Sequence, residues 1–299
     1  VRFCRFGDAR YGVVRDGFVY DATAIVEDVL ARGARPRIGD AVYANFAALR
    51  TALDAATFAA PACRVDDADF LAPVAAPPKL IGAPVNYQAH ITESEADPGI
   101  TFNHLVARID QAGLFLKAAS SLVGPSDGVA IRFADRRTDH EVELALVIGR
   151  ECTDIAEADA LDAVAGYAIG LDMTVRGKED RSFRKSIDSY SVLGPWLVTP
   201  DEIPDPNALA LHLAVNGATR QSSNTAMLIF NVQKLIAWAS RWYTLYPGDV
   251  IYTGTPEGVG PVDDGDVMTA RIERVGEMRV NVRAFAPVSW SSSPADAVT

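Results

Sequence analysis

Long apolar runs are missing from this chain of 299 residues. No stretch approaches the roughly 20 apolar residues that cross a bilayer, and the first residues, VRFCRFGDARYG, lack the apolar core of a signal peptide. No membrane contact is therefore expected, and a cytoplasmic location follows by default. Cysteine is scarce: Cys4, Cys63 and Cys152 are widely spaced with no CxxC, which excludes a disulfide framework and a thiolate metal site. Basic residues are outnumbered by acidic ones, 28 against 39, for a net charge of -11. Nucleic-acid phosphates require clustered cations, so a nucleic-acid partner is excluded. One stretch runs against this trend. RGKEDRSFRK, from Arg176 to Lys185, carries five basic residues and two acidic ones, which reads either as a solvated loop or as an anion site.

What remains is an ordinary globular composition, 49% hydrophobic and 22% charged, with room for a small domain and a larger one. The opening RFCRFGDARYGVVRDGFVYDAT alternates short β-prone runs with Gly and Asp turns and predicts a meander. A helical pair follows, ATAIVEDVLARG after Asp21 and AVYANFAALRTALDAA after Asp40. The Pro-rich LAPVAAPPK marks a boundary near Ala75. Beyond it strands dominate. HEVELALVIG is a strand with Val142, Leu144, Leu146 and Ile148 on one face and Glu141, Glu143, Ala145 and Val147 on the other. A short helix over AEADALDAV leads to a second strand, GYAIGLDMT, and NVQKLIAWASRWYTL is the clearest helix of this part. YPGDVIYTGTPEGVG and DVMTARIERVGEMRVNVRAFA close it as turn-linked strands, and the tail VSWSSSPADAVT is expected to be mobile.

Glu141 and Glu143 are two residues apart on a strand, so both carboxylates leave the same face about 7 Å apart at the backbone. Between apolar neighbours two such acids repel each other unless a cation or a proton intervenes. Taken alone, the pattern also fits a solvated outer face. Asp172, at the end of the next apolar strand, is a plausible third oxygen ligand, and an all-carboxylate set selects a hard cation such as Mg²⁺, Mn²⁺ or Ca²⁺.

HEVELALVIG, GYAIGLDMTVRG, KSIDSYSVLGPWLVTPDEI, LAVNG and LYPGDVIYTGTPEGVG, in this order between Lys79 and Phe285, resemble the fumarylacetoacetate hydrolase family. The resemblance implies an α+β, β-rich fold: a mixed β-roll or β-sandwich catalytic domain over residues 76–287, behind a small N-terminal α+β domain over 1–75, with a flexible tail at 288–299. A homodimer is implied, with Mg²⁺ or a related ion held by Glu141, Glu143 and Asp172. NYQAHITE resembles the family segment whose His and Glu activate water, so His90 and Glu93 are the expected dyad, with Glu95 as a substitute for Glu93. The resemblance makes Lys185 a group that stabilises developing negative charge. It places Arg176 in the same site, Gly254 and Thr255 of TGTPEGVG at the substrate, and Lys117 nearby.

Two departures from the family pattern stand out. Glu179 replaces a Gln found in many members, which exchanges a neutral donor for an acid at a substrate-binding position. The connection over residues 92–113 is longer than usual and reads as a lid. The activity implied is hydrolysis of the carbon–carbon bond of an acylpyruvate-like 1,3-dioxo acid, a small anionic oxo-acid, through an enolate. Oxo-acid decarboxylation and muconate-type isomerisation or hydration use the same enolate and stay open as alternatives. A non-catalytic binding protein would be expected to have lost a ligand or the dyad, and all five residues are present.

Overall fold

In the computed structural model, which describes residues 1–102 and 107–287, one mixed sheet runs through both parts of the chain. The N-terminal meander forms as expected from Arg2–Phe6, Arg10–Arg15 and Phe18–Asp21. Its first strand then pairs with Ser191–Val198, Arg2 opposite Val198 and Phe3 opposite Leu197. From there the sheet continues through Val164–Asp172, Val142–Ile148, Val250–Tyr252, Leu80–Gly82 and Phe115–Lys117. Segment 1–75 is thus hydrogen-bonded into the sheet of the larger part, and the Pro-rich stretch after Leu71 joins two regions of one sheet. A second sheet, Ala218–Asn224, Ala210–Val215, Val267–Ile272, Gly276–Ala284 and Val129–Ile131, packs on the first.

The strand Val142–Ile148 is buried along its whole length. Val142, Leu144, Leu146 and Ile148 enter the core between the sheets beside Leu213, Met268 and Val280. Ala145 and Val147 face the opposite way, against Tyr43, Phe46, Leu49 and Leu53. The N-terminal helices therefore close the second face of the central sheet, which is why this strand is apolar on both sides. The face that carries Ala145 and Val147 is the one that carries Glu143, closer to the strand's start and beyond the helical cover.

Helix ends follow local chemistry. Asp40 caps as expected, its carboxylate accepting from the Val42 N–H at 2.8 Å. The helix predicted over AVYANFAALRTALDAA is broken into Ala41–Ala44 and Phe46–Ala55 at Asn45. The Asn45 amide accepts from the Ala34 N–H at 2.7 Å and donates to the Ala34 carbonyl at 2.9 Å, so its side chain ties the preceding loop and its backbone leaves helical geometry. The helix expected over AEADALDAV is a 3₁₀ stretch, Glu157–Ala163. Val232–Trp242 is helical as predicted, capped by Asn231, with Val232, Leu235, Ile236 and Ala239 buried.

All three cysteines are free. No helix among the described residues is long and apolar enough to cross a membrane. Part of the predicted lid, residues 103–106, and the tail 288–299 lie outside the described residues. The described remainder of segment 92–113 holds the end of the helix Gln88–Ala96 and the helices Pro98–Thr101 and Ile109–Ala112.

Candidate active site and metal centre

Strand pairing brings the three acids together. Val142–Ile148 and Val164–Asp172 run antiparallel, Val142 opposite Leu171 and Glu143 opposite Gly170. Past the last paired residues, the Asp172 N–H donates to the Glu141 carbonyl at 2.9 Å. Glu141, Glu143 and Asp172 are all buried, and each presents an oxygen within 4.8 Å of the others.

Their surroundings are unequal. Glu141 accepts from Lys185 Nζ at 2.6 Å, from Thr174 Oγ1 at 3.0 Å and from Arg176 Nη2 at 3.1 Å. Burial opposes ionisation of Glu141, but Lys185, Arg176 and His90 outweigh it and hold this carboxyl well below the usual range. Asp172 accepts from Lys185 Nζ at 2.7 Å and from the buried Lys117 ammonium. Glu143 has no ion pair among the described residues and accepts one backbone bond, from the Gly254 N–H at 2.6 Å. Burial, then the nearby Asp172 charge, pushes its carboxyl well above the usual range. A buried, oxygen-only donor set in which one acid lacks a counter-charge fits a hard divalent cation.

The dyad is also assembled. His90 Nδ1 lies 2.9 Å from Glu93 Oε2, and Glu93 Oε1 accepts from the Gly258 N–H at 2.9 Å. With Nδ1 engaged, the free ring nitrogen is Nε2. Glu95 is exposed on the same helix and takes no part. His90 shares one cavity of about 420 Å³ with Glu141, Glu143, Asp172, Arg176, Lys185 and Thr255.

Two of the expected substrate groups, Lys117 and Gly254, do not line this cavity, and a third, Glu179, lines it with its carboxylate already engaged. Lys117 is sealed behind Asp172, its ammonium donating to Asp172 and to the Tyr190 carbonyl at 2.8 Å, so it braces that carboxylate and does not line the cavity. Glu179 lies at the cavity wall with its carboxylate held by Arg136, at 3.0 and 2.8 Å. Gly254 acts through its N–H on Glu143, and its φ of +101° is a conformation only glycine adopts without strain.

Several residues escaped the sequence reading. Asp139, fully buried, accepts from Arg176 Nε at 2.8 Å and from Arg137 Nε at 2.6 Å, and Arg137 also reaches Asp97 at 3.0 Å. A signal was present, since Asp139, Glu141 and Glu143 form an acid triplet at alternate positions. Gln221, fully buried, accepts from the Val142 N–H at 3.0 Å and donates to Thr255 Oγ1 at 2.8 Å, while Thr255 Oγ1 donates to the Val142 carbonyl at 3.0 Å. This closed ring fixes the residue between the two glutamates. Arg181 and Arg184 of the basic loop line the cavity on the short helix Arg181–Arg184.

Residues 79–283 match the model of the fumarylacetoacetate (FAA) hydrolase C-terminal domain. The chain belongs to the fumarylacetoacetate hydrolase family. Maleylpyruvate hydrolase of Aquipseudomonas alcaligenes is 49% identical to it over 289 residues, 95% of this chain and 100% of that one. A 2,4-didehydro-3-deoxy-L-rhamnonate hydrolase of Sphingomonas sp. is 36% identical, over 94% of this chain and 96% of the relative. Among solved structures, maleylpyruvate hydrolase from Sphingobium sp. SYK-6, in complex with manganese(II) ion and pyruvate, superposes with a TM-score of 0.79 at 38% identity, covering 96% of this chain and 100% of that one. The α+β family fold and enzymatic nature expected from the sequence are thereby established, and a divalent ion is bound in a structural relative.

Proposed function

We propose that the protein hydrolyses the carbon–carbon bond of an acylpyruvate, giving pyruvate and a carboxylic acid, with Mg²⁺ or Mn²⁺ held by Glu141, Glu143 and Asp172. The observation that carries this reading is the placement of a Glu-supported His90 in the same cavity as the carboxylate triad. When bound, the cation supplies Lewis-acid polarisation of the substrate's oxo and carboxylate oxygens.

Glu93 accepts a hydrogen bond from His90 Nδ1–H and so fixes the tautomer with Nε2 as base. His90 takes a proton from water, and the resulting hydroxide adds to the carbonyl carbon distal to the pyruvate unit. The carbon–carbon bond then breaks, its electron pair leaving with the pyruvate fragment as an enolate. That fragment is protonated on carbon by the His90 imidazolium, which restores the base. Lys185 and Arg176 are cationic groups at the cavity wall and offset the negative charge that develops. Decarboxylation of an oxo-acid needs no attacking water, so the supported His90 favours hydrolysis. Measuring pyruvate release from acylpyruvates with Mg²⁺ or Mn²⁺, with and without EDTA, tests the reading: metal-dependent release is expected, and no turnover of any oxo-acid by metal-loaded protein would sink it. We also propose a homodimer, to be read by light scattering of the purified protein.

A further inference from the structure

Of the acids at alternate positions 139, 141 and 143, the last two belong to the carboxylate triad and Asp139 does not. Asp139 is nevertheless fully buried, and both of its oxygens are engaged by arginines: Oδ1 accepts from Arg137 Nε at 2.6 Å and Oδ2 from Arg176 Nε at 2.8 Å. These contacts extend into a line of alternating charge. Arg137 Nη1 donates to Asp97 at 3.0 Å, and Arg176 Nη2 donates to Glu141 Oε1 at 3.1 Å, so the line runs Asp97, Arg137, Asp139, Arg176, Glu141 and ends on a member of the triad.

The backbone under Arg176 is fixed independently of this line. Thr138 and Asp139 pair with Val175 and Thr174. The Arg176 N–H donates to the Arg137 carbonyl at 2.8 Å, and the Arg176 carbonyl accepts from Arg136 Nη2 at 2.8 Å. Only the guanidinium has a choice of partner, and two buried carboxylates lie within its reach. It divides between them, with Nε on Asp139 and a single Nη2 on Glu141. The bond to Glu141 is the longest of the three that this carboxylate accepts from side chains, after Lys185 at 2.6 Å and Thr174 at 3.0 Å.

A guanidinium not held elsewhere favours a two-point fork on a carboxylate. On Glu141 such a fork would engage both oxygens, with Lys185 already on Oε2, and would neutralise a group that has to face a cation. We infer that Asp139 is a positioning residue for the metal centre: it keeps the Arg176 guanidinium from a two-point grip on Glu141 and so leaves that carboxylate open to a divalent cation. The inference rests on the metal-site reading above and adds a residue outside the ligand set. Arg137 takes the other oxygen of Asp139, so that acid offers Arg176 one point of attachment and its own charge stays compensated in the interior.

The test is a double-mutant cycle on Asp139→Asn and Arg176→Gln, read by calorimetric Mn²⁺ titration of chelator-treated protein. Asp139→Asn should weaken Mn²⁺ binding about 10- to 100-fold. In the Arg176→Gln background, where the competing guanidinium is gone, the same substitution should change affinity by no more than about two- to threefold. Equal losses in the two backgrounds would overturn the inference, because the lost negative charge would then act on the ion without Arg176. Asp139→Asn that binds Mn²⁺ as tightly as wild type, even with lowered thermal stability, would reduce Asp139 to a structural ion pair and also overturn it. A crystal structure of wild-type protein with Mn²⁺ decides the point without any variant. Arg176 Nε should remain on Asp139 with at most one guanidinium nitrogen on Glu141, and a guanidinium forked on Glu141 would contradict the inference. Wild-type protein that binds no Mn²⁺ removes the metal-site reading and the inference with it, whereas tight binding by Asp139→Asn removes the inference alone.

Discussion

Gln221→Leu removes the side chain that locks Val142 between Glu141 and Glu143, the two glutamates of the proposed metal site. Four hydrogen bonds are lost: those from the Val142 N–H at 3.0 Å and from His140 Nδ1 at 3.1 Å, and those to Thr255 Oγ1 at 2.8 Å and the Pro256 carbonyl at 2.9 Å. Val142 and His140 are fully buried, so two donors are left without an acceptor. At about 1–3 kcal/mol for each unsatisfied donor, the substitution should destabilise the fold by roughly 2–6 kcal/mol. For a chain of this size that is a fall in Tm of roughly 3–10 °C, within the ordinary stability of a folded protein. Mn²⁺ affinity should fall with it, because Glu141 and Glu143 flank the released residue. Gln221→Glu keeps an acceptor for Val142 and should be intermediate in both properties. Thermal unfolding of metal-free protein and calorimetric Mn²⁺ titration read the two effects. A Gln221→Leu variant that unfolds within about 2 °C of wild type and binds Mn²⁺ equally well refutes the reasoning.

Other substitutions separate the parts of the site. His90→Ala should retain metal affinity and lose about 10²- to 10⁴-fold in acylpyruvate hydrolysis, and a wild-type rate would place the base elsewhere. Gly254→Ala meets both a φ of +101° and an added Cβ 2.6 Å from the Asn86 Cβ. It should cost about 1–3 kcal/mol and weaken metal binding by moving the N–H that holds Glu143, and a thermal scan indistinguishable from wild type would contradict this. Lys117→Ala breaks the buried pair with Asp172 and should cost about 3–5 kcal/mol by denaturant titration, whereas a surface-like loss under about 1 kcal/mol would show that Lys117 does not brace the ligand.

How much of this was legible in the sequence depended on whether a residue's partners lie near it along the chain. The faces of Val142–Ile148 followed from a period of two, and the i,i+3 spacing of His90 and Glu93 put them on one helical turn. Asp172 joins Glu141 and Glu143 only through strand pairing, which spacing alone did not reveal, and there the family resemblance stood in for geometry. Gln221 was illegible for a related reason. Its strand, Ala218–Asn224, is largely exposed, and Gln221 is buried only because the turn carrying Thr255 and Pro256 packs over it. The helical period through Asn45 gave no hint of a break, since the break comes from a loop that Asn45 reaches across the turn. The basic run Arg176–Lys185 was visible as charge, but which of its residues line the cavity, which caps a helix and which is held by backbone carbonyls required the fold.

Mn²⁺ titration of chelator-treated protein, followed by electron paramagnetic resonance of the free ion, bears most directly on the buried triad of Glu141, Glu143 and Asp172. One ion should bind per chain of wild type and of His90→Ala with similar affinity, and Asp172→Ala should bind at least about 10- to 100-fold more weakly while pyruvate release is abolished. Binding by Asp172→Ala as tight as wild type, or pyruvate release that persists without any bound ion, would contradict the assignment of these three carboxylates as the metal centre.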